Sequence, residues 1–183
     1  MWYIEMQKNN TLLYAGIGSR ETPRSILDLM TAIARKLESL GYTLRSGGAT
    51  GADTAFEEGV ERLKEIYYDY DATSEAIEYA SQFHPAWHNC RSGGRKLHGR
   101  NSMILLGRKL DTPVKFVICW TKDGKDTGGT GLGIRIAEHL RIPIFNLYRY
   151  DDKKRLIDFI GVKTEEVDIF WYIYMIWILI TIH

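Results

Sequence analysis

Cysteine is scarce: Cys90 and Cys119 are the only two in 183 residues. That is too few for a disulfide framework or a four-cysteine metal site. The opening MWYIEMQKNN lacks the charged and apolar parts of a signal peptide, so a reducing cytoplasm is the expected setting. Proline is scarce too, at four residues, and no low-complexity linker is present, which excludes collagen-like and disordered chains. Net charge is nearly absent: 24 basic against 23 acidic residues leave +1. Any attraction to nucleic acid or an anionic membrane must therefore be local. A membrane-spanning run is missing as well. The apolar run Ile169 to Ile180 would be about 18 Å long as a helix, against a hydrocarbon core of about 30 Å.

What is present is 45% hydrophobic and 26% charged residues in a length suited to one globular domain. Thr11 to Ile17 is a short apolar run stopping at Gly16 and Gly18, as a buried strand entering a tight loop would. Thr22 is a good N-cap and Pro23 fits the first helical position. Apolar residues then recur at helical spacing from Ile26 to Leu40, and Gly41 ends the helix. Tyr42 to Leu44 reads as a second strand, followed by SGGATGAD and a helix over about 53–64. Glu65 to Tyr70 reads as a third strand and Thr73 to Gln82 as a helix. His84 to Gly94 is irregular, with Ser92-Gly93-Gly94 as a break before a helix over 95–106. Val114 to Trp120 suits a strand buried on both faces. A glycine loop, a helix over about 131–140 and a strand Ile142 to Leu147 complete the pattern. Alternating strands and helices imply an α/β fold: a single three-layer, doubly wound, mostly parallel, Rossmann-like domain over residues 1–150. Residues 151–183 form a C-terminal extension ending in an apolar aromatic segment.

Three glycine loops carry the functional signal: Gly16-Ile17-Gly18-Ser19-Arg20, Ser46-Gly47-Gly48-Ala49-Thr50-Gly51-Ala52-Asp53 and Thr127-Gly128-Gly129-Thr130-Gly131. Each follows an apolar strand and precedes a helix. In an open parallel sheet such loops line one crevice, where helix starts present free amides to anions and glycine lets backbone approach phosphate. The dinucleotide fingerprint fails because Glu21 stands where its last glycine belongs, and no acid ends the second strand. A phosphate-loop ATPase fails because the third loop lacks Gly-Lys-Ser/Thr. No cofactor is expected.

Charge is polarised along the chain. Asp53 to Glu78 holds nine acids and two bases, whereas Tyr79 to Leu110 holds no acid, six Lys or Arg and three histidines. Phe83, Trp87, Arg91, Arg95, Lys96 and Arg100 interleave as residues that could bind phosphates and stack on bases. A solvated basic helix with its aromatics on the core fits the same composition. No metal is expected: Pro85 breaks the spacing of His84 and His88, and no carboxylate lies nearby. Asp53 and Glu57 share a helical face and are the candidate acid–base pair, although an acid at a helix start also serves as cap or dipole partner. No nucleophile motif supports covalent catalysis.

In order, YAGIGSRETP, LRSGGATGADTAFEEG, GRNSMILLG, and VKFVICW with GGTGLGIRIAEHLRIPIFNL resemble the Rossmann-like domain of the DNA-processing protein A (DprA/Smf) family. The likeness is to its short stand-alone phage and bacterial forms, within a superfamily that includes LOG-type phosphoribohydrolases and nucleotide-signal sensors. The match spans roughly Leu12 to Leu147. It implies binding of a phosphorylated nucleotide or single-stranded DNA, with a place in DNA processing. The binding residues it implies are Gly16, Gly18, Ser19 and Arg20; Ser46, Gly47, Gly48, Thr50, Gly51 and Asp53; Arg100 and Asn101; and Gly128, Gly129 and Thr130. Arg20 and Arg100 would supply forked donors to phosphate. The family commonly has arginine where Thr50 stands and histidine where Glu57 stands. The hydrolases' glutamate is out of register here, with Glu138 displaced from it. Binding without catalysis is the leading expectation. N-glycosidic cleavage of a nucleotide or ADP-ribose derivative and nucleotide sensing are the alternatives. Partners are a nucleotide or single-stranded nucleic acid and no membrane, with the tail buried on the core or forming a homo-oligomeric contact.

Overall fold

The computed structural model describes residues 11–126 and 128–161. Five strands form one sheet: β1 Leu13–Gly18, β2 Thr43–Ser46, β3 Lys64–Ile66, β4 Phe116–Trp120 and β5 Ile144–Asn146. Their order is β3-β2-β1-β4-β5, and every pairing is parallel. The chain winds outward from β1 through β2 to β3, then returns to place β4 on the other side of β1, so the switch point lies between β1 and β4.

Strand alternation explains the two faces. Leu13, Ala15 and Ile17 of β1, with Val117 and Cys119 of β4, join one buried cluster. Tyr14, Phe116, Ile118 and Trp120 join the other. The first cluster is covered by α3 Ser74–Ser81, α4 Ser92–Leu106 and α5 Gly128–His139. The second is covered by α1 Arg24–Ser39, α2 Ala52–Glu58 and α6 Tyr150–Ile160. The result is a three-layer α/β domain of the Rossmann-like kind.

Local chemistry moves several boundaries from their sequence-based positions. Pro23, not Thr22, is the N-cap of α1, because the Thr22 hydroxyl donates instead to the Ser19 carbonyl at 2.7 Å. α2 stops at Glu58 rather than near 64. Beyond it the Glu38 carboxylate accepts the amides of Glu61, Arg62 and Leu63 at 2.8–3.0 Å, which fixes the turn into β3. The expected strand 65–70 is three residues long, and Asp69–Asp71 is a 3₁₀ turn. Ser92, Gly93 and Gly94 form the first turn of α4 rather than a break. Tertiary contacts of this helix override the low propensity of two glycines, with Gly99 packed directly on Ile77 of α3.

The segment after Leu147 adds α6, whose Leu156 and Ile160 are buried with Tyr14 and Phe116. The apolar run Ile169 to Ile180 lies outside the described residues. Among the described residues no helix is long and apolar enough to cross a membrane. Since Leu156 is fully buried, Leu156→Ala is expected to destabilise the fold by about 2–5 kcal/mol, through lost burial and the cavity left behind. Urea denaturation checks this; an unchanged midpoint would show that α6 does not belong to the core.

Candidate functional site

The carboxyl ends of β1 and β4 open into a crevice of about 490 Å³. It is bounded by Ile17 to Glu21 at the end of β1 and just beyond it, by Thr121 and Lys122 after β4, and by Gly128, Gly129 and Thr130 at the start of α5. Ala49 and Asp53 close one side, and Leu97, Arg100 and Asn101 of α4 close another. The Ser19 amide continues the β1–β4 pairing by donating to the Trp120 carbonyl at 3.2 Å. Two loops distant in sequence are thereby held at one mouth.

Of the residues expected at the site, the crevice gathers Gly18, Ser19, Arg20, Asp53, Arg100, Asn101, Gly128, Gly129 and Thr130. The others are not among its lining residues, and all but Thr50 have identifiable packing roles. The place a side chain would take at Gly16 is filled by Phe56 and Leu44. The Ser46 hydroxyl donates to the Gly16 carbonyl at 2.8 Å. A Cβ on Gly47 would fall on the Arg100 guanidinium, and Gly51 has φ +92 with the Arg20 backbone 2.9 Å from its missing Cβ. Gly48 lies beneath the Tyr68 ring, and Thr50 is exposed at the rim of the second loop. By contrast, among the described residues a Cβ on Gly128 would meet nothing within 4 Å, and one on Gly129 only Asn101 Nδ2 at 3.9 Å. The first two loops use glycine for close packing within the protein, while the third leaves open space at a helix start.

Arg100 connects the loops. Its Nη1 donates to the Gly47 carbonyl and lies 3.5 Å from Asp53 Oδ2. Its Nε and Nη2 donate to Asn101 Oδ1 at 3.3 and 3.1 Å. Asn101 Nδ2 in turn donates to the Gly129 carbonyl at 2.9 Å. Most of the guanidinium donors are thus engaged inside the protein, and Arg100 is a strut before it is a phosphate fork. Arg20 and Lys122 differ: both are exposed on the crevice, and among the described residues neither forms a salt bridge.

Asp53 is nearly fully buried. Burial pushes its carboxyl up to about 6, opposed by Arg100 and the Ala49 amide and reinforced by Glu57. Glu57 is raised as well, chiefly by burial, against the Gly48 amide and the charges of Lys64 and Arg100. Its Oε1 is buried without a hydrogen-bond partner among the described residues, and it is not among the residues that line the crevice.

The basic stretch half-buries its aromatics: Phe83 and Trp87 pack against the cluster that contains Val117 and Cys119 of β4, and the Arg95 guanidinium covers the Trp87 ring. An exposed aromatic pair lies elsewhere, where Tyr68 and Tyr70 stack with centroids 5.2 Å apart beside the second loop. The acidic context of EIYYDYD hid this pair in the sequence, and alternation of exposed tyrosines around a turn was its only signal. His84, Cys90 and His98 also converge, across spacings that match no common metal motif. A second cleft of about 520 Å³ lies at the β5 side, bounded by Asp123, Asn146, Arg149 and Asp152. It holds none of the expected residues.

Together these features define a doubly wound parallel α/β domain with a crevice at its switch point. No protein-family model matches the chain, and no curated protein matches it. Among solved structures it is similar to DNA processing protein A from Helicobacter pylori, with a TM-score of 0.52 and 19% identity over 80% of this chain and 72% of that one. That likeness establishes the shared fold.

Between pH 3.8 and about 6 the folded chain holds more protons at Asp53 than the unfolded chain, so this group lowers stability as pH rises through that window. Asp53→Asn is expected to flatten this part of the profile. Urea midpoints across pH 4 to 7 check it, and identical slopes in both proteins would contradict the burial of Asp53.

Proposed function

We propose that this chain binds single-stranded nucleic acid, with the β1–β4 crevice taking backbone phosphates. The observation that carries the reading is that Arg20 and Lys122, which form no salt bridge among the described residues, line one crevice with the start of α5. Amides in the first turn of a helix lack intrahelical partners and favour anions, and Gly128 and Gly129 put no side chain in the way. A volume of about 490 Å³ suits a nucleotide-sized group, given that small-ligand sites run from about 300 to 1,000 Å³. The exposed Tyr68–Tyr70 pair offers a face on which a neighbouring base can stack.

The fold is shared with a protein that binds single-stranded DNA, DNA processing protein A of Helicobacter pylori, which favours a strand over a free mononucleotide as ligand. A role in DNA processing is the setting this reading implies. Contacts of this kind read the backbone and not base sequence. Arg20→Ala and Lys122→Ala are each expected to weaken oligonucleotide binding for every base composition. Each should also reduce the slope of log affinity against log salt by about 0.7 for a single strand. Fluorescence anisotropy with labelled oligo-dT and a mixed sequence checks both effects. Tight, salt-insensitive binding of a mononucleotide, with no response to oligonucleotides, would overturn the strand reading.

One observation favours a second reading, N-glycosidic cleavage of a nucleotide: Asp53 lines the crevice with its carboxyl near 6, in the range of a general acid. Under that reading, incubation with a nucleotide panel releases free base by chromatography, and Asp53→Asn abolishes the release. Binding without release from any member leaves the binding reading alone.

A further inference from the structure

We propose that His84, Cys90 and His98 form a binding site for a transition-metal ion of the zinc class, which pins the 84–91 segment to α4. One ligating atom from each residue lies within 4.8 Å of the others. The Cys90 sulfur is 3.6 Å from His84 Nε2. A tetrahedral zinc centre with Zn–S of about 2.3 Å and Zn–N of about 2.0 Å separates sulfur and nitrogen ligands by about 3.5 Å. The His84–Cys90 pair therefore already has the edge length that the ion requires, with a His98 donor atom within 4.8 Å of both.

A weak thiol–imidazole hydrogen bond gives a similar separation for His84 and Cys90 alone. It does not account for His98, whose Nδ1 is buried with no hydrogen-bond partner among the described residues and whose ring centroid is 4.5 Å from that of His84. The Cys90 sulfur is also 3.7 Å from His84 Nδ1, which accepts the Ala86 amide at 3.2 Å; ligation through Nε2 needs the ring proton on Nδ1, so that amide contact is given up when the ion binds. Trp87 packs against both imidazoles, with centroids 5.9 and 6.0 Å away. The Arg95 guanidinium covers the Trp87 ring and donates to the Cys90 carbonyl at 3.0 Å. The cluster is thus braced from outside while its donor atoms face one another. Three protein ligands leave one coordination position for water or an external ligand.

The site lies apart from the phosphate crevice and does not depend on the nucleic-acid reading. His98 nevertheless precedes Arg100 by two residues, so an ion there stiffens the helix that carries the strut.

Cobalt(II) titration of the reduced full chain tests the proposal. The expected result is one ion per chain, a sulfur-to-cobalt charge-transfer band and visible d–d bands of tetrahedral intensity, with zinc displacing the cobalt. Cys90→Ser should remove the charge-transfer band, and His98→Ala should weaken cobalt binding at least tenfold. Cys119→Ser and His88→Ala should leave both unchanged. A wild-type chain with no thiolate band, or a band that survives Cys90→Ser, would overturn the site whether or not any variant folds poorly.

Discussion

One buried guanidinium organises the functional end of this domain. Arg100 projects from α4 into the space left by Gly47 and reaches Asp53 and the Gly47 carbonyl on one side and Asn101 on the other. Through Asn101 the same network reaches Gly129. Burial of a charge is tolerated only with a counter-charge and satisfied hydrogen bonds; here Asp53 of α2 supplies the first, and the Gly47 carbonyl and Asn101 supply the second. The strut therefore fixes how far apart the second and third loops stand, while β1–β4 pairing fixes the first against the segment after β4.

This arrangement divides glycines that look alike in sequence. Gly16, Gly47 and Gly51 are small because other protein atoms occupy the space their side chains would need. Gly128 and Gly129 are small beside open volume, the condition for a ligand to approach the first amides of a helix. Arginines divide in the same way: Arg100 is engaged internally, whereas Arg20 is exposed on the crevice. Crevice surface and internal architecture are thus carried by different members of the same motifs.

Much of the fold was legible because strand alternation and helical periodicity are local signals. TLLYAGI, VKFVICW and the apolar spacing of α1 needed no tertiary information, and strands alternating with helices led directly to a parallel doubly wound sheet. The start of α4 was not legible, because two glycines at 93 and 94 oppose a helix that only packing on α3 and the sheet secures. The crevice residues were found through their loops and through resemblance to DNA-processing protein A. Nothing local distinguishes a glycine facing a ligand from one facing Arg100. The convergence of His84, Cys90 and His98 depends on a chain reversal between α3 and α4, which residue spacing does not encode.

The central claim is that a nucleic-acid strand meets the protein at the open half of the crevice, while the Arg100 network holds the walls from within. Amide hydrogen exchange of the full chain with and without an oligo-dT strand addresses it most directly. The account predicts new protection confined to Gly18–Glu21, Thr121–Lys122 and the first turn of α5. Protection confined to the exposed basic face around Arg91 and Lys96, with the crevice amides unchanged, would contradict it.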